Sequence, residues 1–168
     1  ITQRINAEKI ALFFEQGASA DDLLQAYIES LEHVHEPSTE MQPGDDLALL
    51  AAYVTLAKSS SVENLIQAAA IASYACEKSA RAYKLRLLLI RLLLRLGCLK
   101  LAVYHFDALE LKAVQLDTMP HYLLDRNASF GGSHAADVGN HWEGGIKDFY
   151  ELSAFEVPEA LGLSLIHI

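Results

Sequence analysis

Apolar residues recur at intervals of three and four along most of the chain up to Asn127, which is the spacing of an amphipathic α-helix. Ser19 and Asp22 have the spacing of a capping box at the start of one such helix, and Ser60 and Glu63 repeat that spacing at another. No segment shows a convincing period of two. The pattern therefore predicts an all-α protein without a sheet.

Seven helices are predicted, and glycine, proline or serine separates most of them. The first ends at Gly17 and the second before Pro37. The limits predicted for the later helices are about Asp45 to Lys58, about Val62 to Lys78, about Ala80 to Leu96, about Leu99 to Leu111, and a short helix capped by Asp117 or Thr118 with Pro120 in its first turn.

Three of these helix starts, near Asp45, Ala80 and Thr118, recur roughly 35 to 38 residues apart, and each opens a unit of helix, short turn and helix. This period is typical of a tetratricopeptide-like repeat. A second-helix pattern of small, aromatic and apolar residues is kept by Ala102, Phe106 and Leu109, although other consensus positions are not. The prediction is an all-α helical hairpin repeat solenoid fragment over residues 1–127.

The rest of the chain lacks clear periodicity. Residues 128–162 are rich in glycine and are predicted to be a weakly structured or short-helical continuation. Residues 163–168, "LSLIHI", match the translation of a transposase adapter used in sequencing libraries, so we interpret them as an adapter artefact. Because the first residue is Ile1, we expect the chain to start inside a longer protein.

The segment "KLRLLLIRLLLRLG" combines leucine with regularly spaced arginine. Its uninterrupted apolar runs are far shorter than the roughly 20 residues that span a bilayer, so a membrane helix is rejected. On a helix, Lys84, Arg91 and Arg95 fall within about 40° of one another, whereas Arg86 points to nearly the opposite side. We expect the leucines to join neighbouring repeats and the basic stripe to face water or a partner.

Charge is distributed unevenly along the chain. The formal net charge is −9, yet the part from Arg81 to Leu116 has 7 basic and 2 acidic residues, a net +5. The charged side chains of this zone either only face water on the outer surface of the helices or contact an anionic partner. That partner is an acidic protein surface or ribosomal RNA. Because Tyr83, Tyr104 and Phe106 are expected in the core, sequence-specific RNA reading is not predicted, and neither is DNA binding.

Six cations of this zone are predicted to bind a partner: Arg81, Lys84, Arg86, Arg91, Arg95 and Lys100. Two interpretations of Arg86 remain open. It either forms a salt bridge with an acidic neighbour such as Glu77 or Asp107, or anchors an anionic segment of a partner.

The histidines and cysteines of the chain do not have the spacing of a catalytic or metal site. His33 and His35 splay to different faces of a helix, and His134 and His141 lack a third nearby ligand, so no metal or cofactor is predicted. A helical hydrolase using His134 and His141 is kept as a minor alternative. Cys76 and Cys98 form no disulfide-like framework, which favours a reducing compartment.

The block "LLLIRLLLRLGCLKLAVYHFDALELKAVQLDTMPHYLLDR", Leu87 to Arg126, resembles the non-catalytic, auxiliary subunit of the N-terminal acetyltransferase B (NatB) complex. The most specific parts are the leucine-arginine helix closed by Gly97, then Ala102 and Tyr104, then "LELKAVQLDTMPHYLLDR". The resemblance extends more loosely back to about Arg4.

This resemblance implies a cytoplasmic scaffold that is not itself an enzyme. Such a subunit wraps around and positions a catalytic N-acetyltransferase subunit and helps to bring it to the ribosome, where chains beginning Met-Asp, Met-Glu, Met-Asn or Met-Gln are acetylated. Acetyl-CoA and the catalytic groups belong to the partner. The alternative is an unrelated helical-repeat adaptor that binds peptides.

Overall fold

In the computed structural model, the described residues are 1–13, 17–32, 42–111, 115, 118–119 and 121–124, and they contain helices but no strand. The all-α prediction is confirmed for this part of the chain. The helices are α1 (Thr2–Phe13), α2 (Ala20–Leu31), α3 (Asp45–Lys58), α4 (Val62–Lys78), α5 (Tyr83–Arg95), α6 (Leu99–Asp107) and α7 (His121–Leu124).

The chain divides into two compact units, Ile1–Leu109 and Glu110–Ile168. The first unit holds α1 to α6. In the second unit the structure describes α7 and the turn before it, where the amide N–H groups of Thr118 and Met119 donate to the Gln115 carbonyl. Asp117 and Pro120, predicted at the start of this helix, lie outside the described residues, as do the predicted segments 128–162 and 163–168.

Helix α2 begins with the predicted capping box. The Ser19 hydroxyl oxygen accepts a hydrogen bond from the Asp22 amide at 3.2 Å, and the Asp22 carboxylate accepts one from the Ser19 amide at 3.3 Å. These two bonds satisfy amide groups that have no partner within the helix.

Helix α4 has the predicted bounds, but its cap lies one residue later than predicted. Its cap is Ser61, whose hydroxyl accepts from the Asn64 amide at 3.2 Å, so the predicted pairing of Ser60 with Glu63 is wrong. The Asn64 side chain also donates to the Ser59 hydroxyl at 3.0 Å, which helps to fix the start of the helix relative to the serine turn. Spacing alone does not choose between three adjacent serines.

Helices α5 and α6 are both shorter than predicted. Gly97 adopts a φ of 79°, a conformation that favours glycine, and the turn closes with a 2.8 Å bond from the Cys98 amide to the Leu93 carbonyl. Helix α6 ends at Asp107 rather than near Leu111, and Glu110 beyond it has a φ of 50°. A residue in the left-handed region cannot continue a right-handed helix.

The core of the first unit forms where consecutive helices pack from α2 to α6, and α3 also contacts both α1 and α5. Small residues line α4: Ala68, Ala72 and Ala75 are fully buried, which allows the close helix approach expected from the sequence. Larger buried side chains fill the remaining space: Leu23, Tyr27, Leu85, Leu89, Ile90 and Phe106. The α5 leucines are therefore largely core residues, as the sequence predicts.

Candidate partner-binding surface

The basic residues of α5 divide between surface and core. Lys84, Arg91 and Arg95 are exposed, and their spacing places them on one face of the helix. Arg81, in the turn before α5, is half-buried, and its Nη1 donates to the Tyr83 hydroxyl at 2.6 Å. Lys100 is exposed on α6. Five of the six predicted cations thus have at least part of their surface in water.

Arg86 lies on the opposite side of α5 and is only 7% exposed. Its Nη2 donates a long hydrogen bond, 3.5 Å, to the Ala80 carbonyl, while its Nε has no hydrogen-bond partner. The ion pairs found within the described residues do not include Arg86, so neither Glu77 nor Asp107 fills the predicted role. Burying an arginine with so few partners is costly.

The charge of Arg86 affects its neighbours in the core. Burial raises the pKa of the Cys76 thiol to about 11, and the nearby Arg86 cation opposes part of that rise. Burial also lowers the pKa of His105, and Arg86 lowers it further. Arg86 is therefore close to one residue of α4 and one of α6.

Asp46 joins three helices through two ion pairs. Its carboxylate accepts from Lys9 Nζ of α1 at 2.7 Å and from Lys84 Nζ of α5 at 3.2 Å. Partial burial acts to raise the pKa of Asp46, but the bonds from both lysines outweigh it and lower the pKa. Lys84 is thus paired, whereas Arg91 and Arg95 have no ion-pair partner among the described residues.

Arg91 and Arg95 form no ion pair or side-chain hydrogen bond with any residue the structure describes. Tyr53 of α3, which sequence reasoning missed, is 51% exposed and adds an aromatic ring to the same layer of helices. The signal that would have found it is the repeat itself, because Tyr53 and Arg91 are separated in the sequence by one repeat length.

Helix α6 also carries exposed apolar residues. Tyr104 is 65% exposed and Leu101 is 53% exposed, while Phe106 is fully buried. The prediction that Tyr104 lies in the core is therefore wrong, and Tyr83 is only half-buried. The short helix α6 has one buried face, defined by Leu99, Ala102 and Phe106, and Tyr104 falls outside it.

A buried polar group lies where α2, α3 and α4 meet. The Asp45 carboxylate accepts from the Ser79 hydroxyl at 2.7 Å and from the Gln42 amide at 3.2 Å. Burial raises the pKa of Asp45, although both hydrogen bonds act against the rise. Burial and the Asp45 charge also raise the pKa of Tyr27, whose hydroxyl has no hydrogen-bond partner.

The described part of the chain contains no group of three or more metal-binding side chains. An open cavity of about 210 Å³ is lined by Ile1, Arg4, Ala26, Glu29, Ser30 and Leu47. The Ser30 hydroxyl donates to the Tyr27 carbonyl, so it is not paired with a base as a nucleophile would be. Residues His33, His35, His134 and His141 lie outside the described residues.

Among the described residues, no helix is long and apolar enough to cross a membrane.

These features define a class of protein: packed α-helices that expose aromatic side chains and cations without an ion-pair partner among the described residues. The chain belongs to the family of N-acetyltransferase B complex (NatB) non catalytic subunits, whose sequence profile matches residues 1–167. The resemblance found in the sequence is thereby confirmed. Membership of a non-catalytic family implies that the chain is not itself the catalytic component.

A curated relative is the N-terminal acetyltransferase B complex subunit arm1 of Schizosaccharomyces pombe, which is 32% identical over 83 residues. The matched stretch is 49% of this chain and 10% of the relative, so the chain spans about a tenth of that protein. No solved structure matches the chain significantly.

Proposed function

We propose that the chain is part of a non-catalytic scaffold that binds and positions the catalytic N-acetyltransferase subunit of a NatB complex. The observation that carries this proposal is the match of the family profile to residues 1–167. In the proposal the partner supplies the catalytic groups and binds acetyl-CoA, and the scaffold helps the complex to associate with ribosomes in the cytoplasm. The substrates are nascent chains that begin Met-Asp, Met-Glu, Met-Asn or Met-Gln.

A tetratricopeptide-like solenoid is the architecture we propose for this scaffold. Helices α3, α5 and α7 begin at Asp45, Tyr83 and His121, so their starts are evenly spaced along the chain. Helix α3 contacts α1 and α5 as well as its neighbours along the chain, as expected when hairpins stack side by side. Stacked hairpins present an extended surface, which suits a subunit that holds another polypeptide.

The proposed contact surface includes the six cations predicted from the sequence: Arg81, Lys84, Arg86, Arg91, Arg95 and Lys100. Arg91, Arg95 and Lys100 are the most available, because each is exposed and none is paired with a described residue. Lys84 is shared with Asp46, and Arg86 is buried.

Co-expression of the full-length chain with a NatB catalytic subunit tests the scaffold function. We expect the two proteins to co-purify and the complex to acetylate a Met-Asp peptide faster than the catalytic subunit alone. The full-length chain alone should show no activity with acetyl-CoA. Sedimentation with purified ribosomes at low and high salt checks ribosome association.

Two outcomes would contradict the proposed function, and a third would favour the alternative. Acetylation by the chain alone would contradict the non-catalytic role, and failure to co-purify would contradict the scaffold role. Recovery of chaperone or trafficking proteins in place of an acetyltransferase would favour the peptide-binding adaptor.

A further inference from the structure

Helices α3 and α5 present equivalent positions on one face. The chain reverses direction after α3 and again after α4, and α3 and α5 contact each other, so the two helices run in the same direction. Asp46 and Lys84 are each the second residue of their helix, and a 3.2 Å ion pair joins them. This pair sets the register of the two helices.

The same register places two more equivalent pairs side by side. Tyr53 and Arg91 have the same separation in the sequence as Asp46 and Lys84, and so do Ala57 and Arg95. They lie two and three turns beyond the Asp46–Lys84 pair, on the same faces of their helices. Because α3 and α5 contact each other, the four side chains lie at matching heights on the surface of neighbouring helices. We name this surface the arginine–tyrosine strip, formed by Tyr53, Ala57, Arg91 and Arg95.

All four residues of the arginine–tyrosine strip are exposed. Tyr53 has half of its surface in water, and no hydrogen bond to a described residue engages its hydroxyl. Arg91 and Arg95 likewise have no ion-pair partner in the part of the chain described. Exposed tyrosine and arginine are the residue types most enriched at protein interfaces.

The charge around the strip favours an anionic occupant. No acidic residue occurs from Tyr83 to Phe106, a segment with five basic residues. The nearest carboxylate on the facing helix, Asp46, is already paired with Lys9 and Lys84. On the facing helix, exposed Ala57 and the half-exposed Tyr53 ring add apolar surface. A guanidinium pairs best with a carboxylate that approaches with both oxygens.

We propose that the arginine–tyrosine strip docks an acidic segment of a partner polypeptide. Carboxylates of the segment pair with Arg91 and Arg95, and an apolar side chain between them covers Tyr53 and Ala57. The proposal deepens the scaffold function, on which it rests for the existence of a partner, and names the chemistry that the partner presents.

A polypeptide fits this strip better than RNA does. The chain has a net charge of −9, which repels an extended polyanion, whereas a short acidic segment responds mainly to charges within the Debye length of about 10 Å. Backbone binding to RNA gains affinity from many cations along a groove, and the strip offers two unpaired ones. A single half-exposed ring also provides little stacking surface for bases.

The test uses the full-length chain and a fluorescent helical peptide that carries glutamates at every fourth position with leucines between them. Fluorescence anisotropy measures binding, and a matched peptide with glutamine at the glutamate positions measures the contribution of charge. We expect the glutamate peptide to bind roughly tenfold or more tightly than the glutamine peptide, with affinity falling as salt is added.

Charge reversal locates the site. We expect the Arg91→Glu/Arg95→Glu variant to lose roughly tenfold or more in affinity for the glutamate peptide, and Tyr53→Ala to weaken binding of both peptides. Lys78→Glu is the matched control, because Lys78 is exposed at the end of α4 and belongs neither to the strip nor to the six cations of the proposed contact surface. Circular dichroism verifies that each variant keeps its helix content.

Several results would overturn the proposal: no binding of the glutamate peptide, equal binding by the double variant and the wild type, equal losses in Lys78→Glu, or tighter binding of a single-stranded RNA of similar length. If such a result is found while the chain still co-purifies with the acetyltransferase, only the strip is rejected. If the strip binds the peptide but no acetyltransferase co-purifies, only the scaffold function is rejected.

Discussion

Cys76 and Cys98 occupy contrasting environments. Cys76 is buried in α4, where loss of solvent raises its pKa to about 11, whereas Cys98 is exposed in the turn between α5 and α6. Arg86 acts to lower the pKa of Cys76, and Asp45 acts to raise it, but burial is the larger effect. The folded protein therefore holds the Cys76 thiol protonated.

Folding stability should fall in alkali because of Cys76. The pKa in the folded state is above the ordinary value of 9.0, so the stabilisation is complete below pH 9.0 and is lost as the pH rises toward 11. We expect the free energy of unfolding, measured with urea, to fall more steeply with rising pH in the wild type than in Cys76→Ala. The two slopes should differ by at most about 1.4 kcal/mol per pH unit. Tyr27 also titrates in alkali, but both proteins contain it, so the difference isolates Cys76. Parallel slopes across the alkaline range would contradict this assignment.

Individual helices depend on local contacts that differ in how easily they can be predicted. The capping box of α2 follows directly from the spacing of Ser19 and Asp22. The start of α4 depends instead on which of three adjacent serines places its hydroxyl within reach of a free amide group of the first turn. Ser61, with φ −68° and ψ 154°, accepts from the Asn64 amide, while Ser59, which is also extended, accepts from the Asn64 side chain.

Ser61→Ala should destabilise the protein by about 1 kcal/mol, because the Asn64 amide would lose its hydrogen bond to the cap. Ser60→Ala is the matched control, since Ser60 is exposed and does not cap α4, and we expect it to change stability by less than about 0.5 kcal/mol. Chemical denaturation monitored by circular dichroism measures both. An equal loss in the two variants would show that the cap assignment is wrong.

Across the first unit as a whole, Asp46 ties together helices that are distant in sequence. Its two lysine partners come from α1 and α5, on either side of α3. The lysines are about half exposed, so water and salt weaken both interactions. The pairs contribute modestly to stability, and they also fix the positions of α1 and α5 against α3.

Asp46→Ala should reduce the free energy of unfolding by about 1 kcal/mol at low ionic strength, and by less at high salt. The pKa of Asp46 is lowered in the folded state, so its stabilisation is present above the ordinary aspartate pKa and is lost as the pH falls through the lowered value. Urea titrations of the wild type and Asp46→Ala should therefore give different free energies of unfolding at neutral pH and similar ones in acid.

Lys84→Ala combined with Asp46→Ala forms a double-mutant cycle for this ion pair. The two losses should be less than additive, since each substitution removes the same interaction. Lys58→Ala, a change at an exposed lysine at the end of α3, is the control. Full additivity would mean that the Asp46–Lys84 pair makes no contribution.

The sequence predicted much of the candidate surface but not all of it. The exposed face shared by Lys84, Arg91 and Arg95 follows from helical spacing, because a stripe of charge in a leucine-rich helix has to face water. The burial of Arg86 follows from the same geometry, but its missing carboxylate partner does not. The exposure of Tyr104 was also missed, because the side of a short helix that its neighbours cover depends on tertiary packing.

By itself, the sequence determined the helical composition, the order of the helices and the resemblance to NatB non-catalytic subunits. These properties arise from local spacing, capping residues and turn residues, which act over a few positions along the chain. Only the tertiary structure decided which serine caps α4, which cations are paired, and that Asp46 of α3 meets Lys84 of α5. The ion pairs depend on contacts between helices that are not consecutive, and no local pattern specifies how two side chains so far apart in the sequence meet.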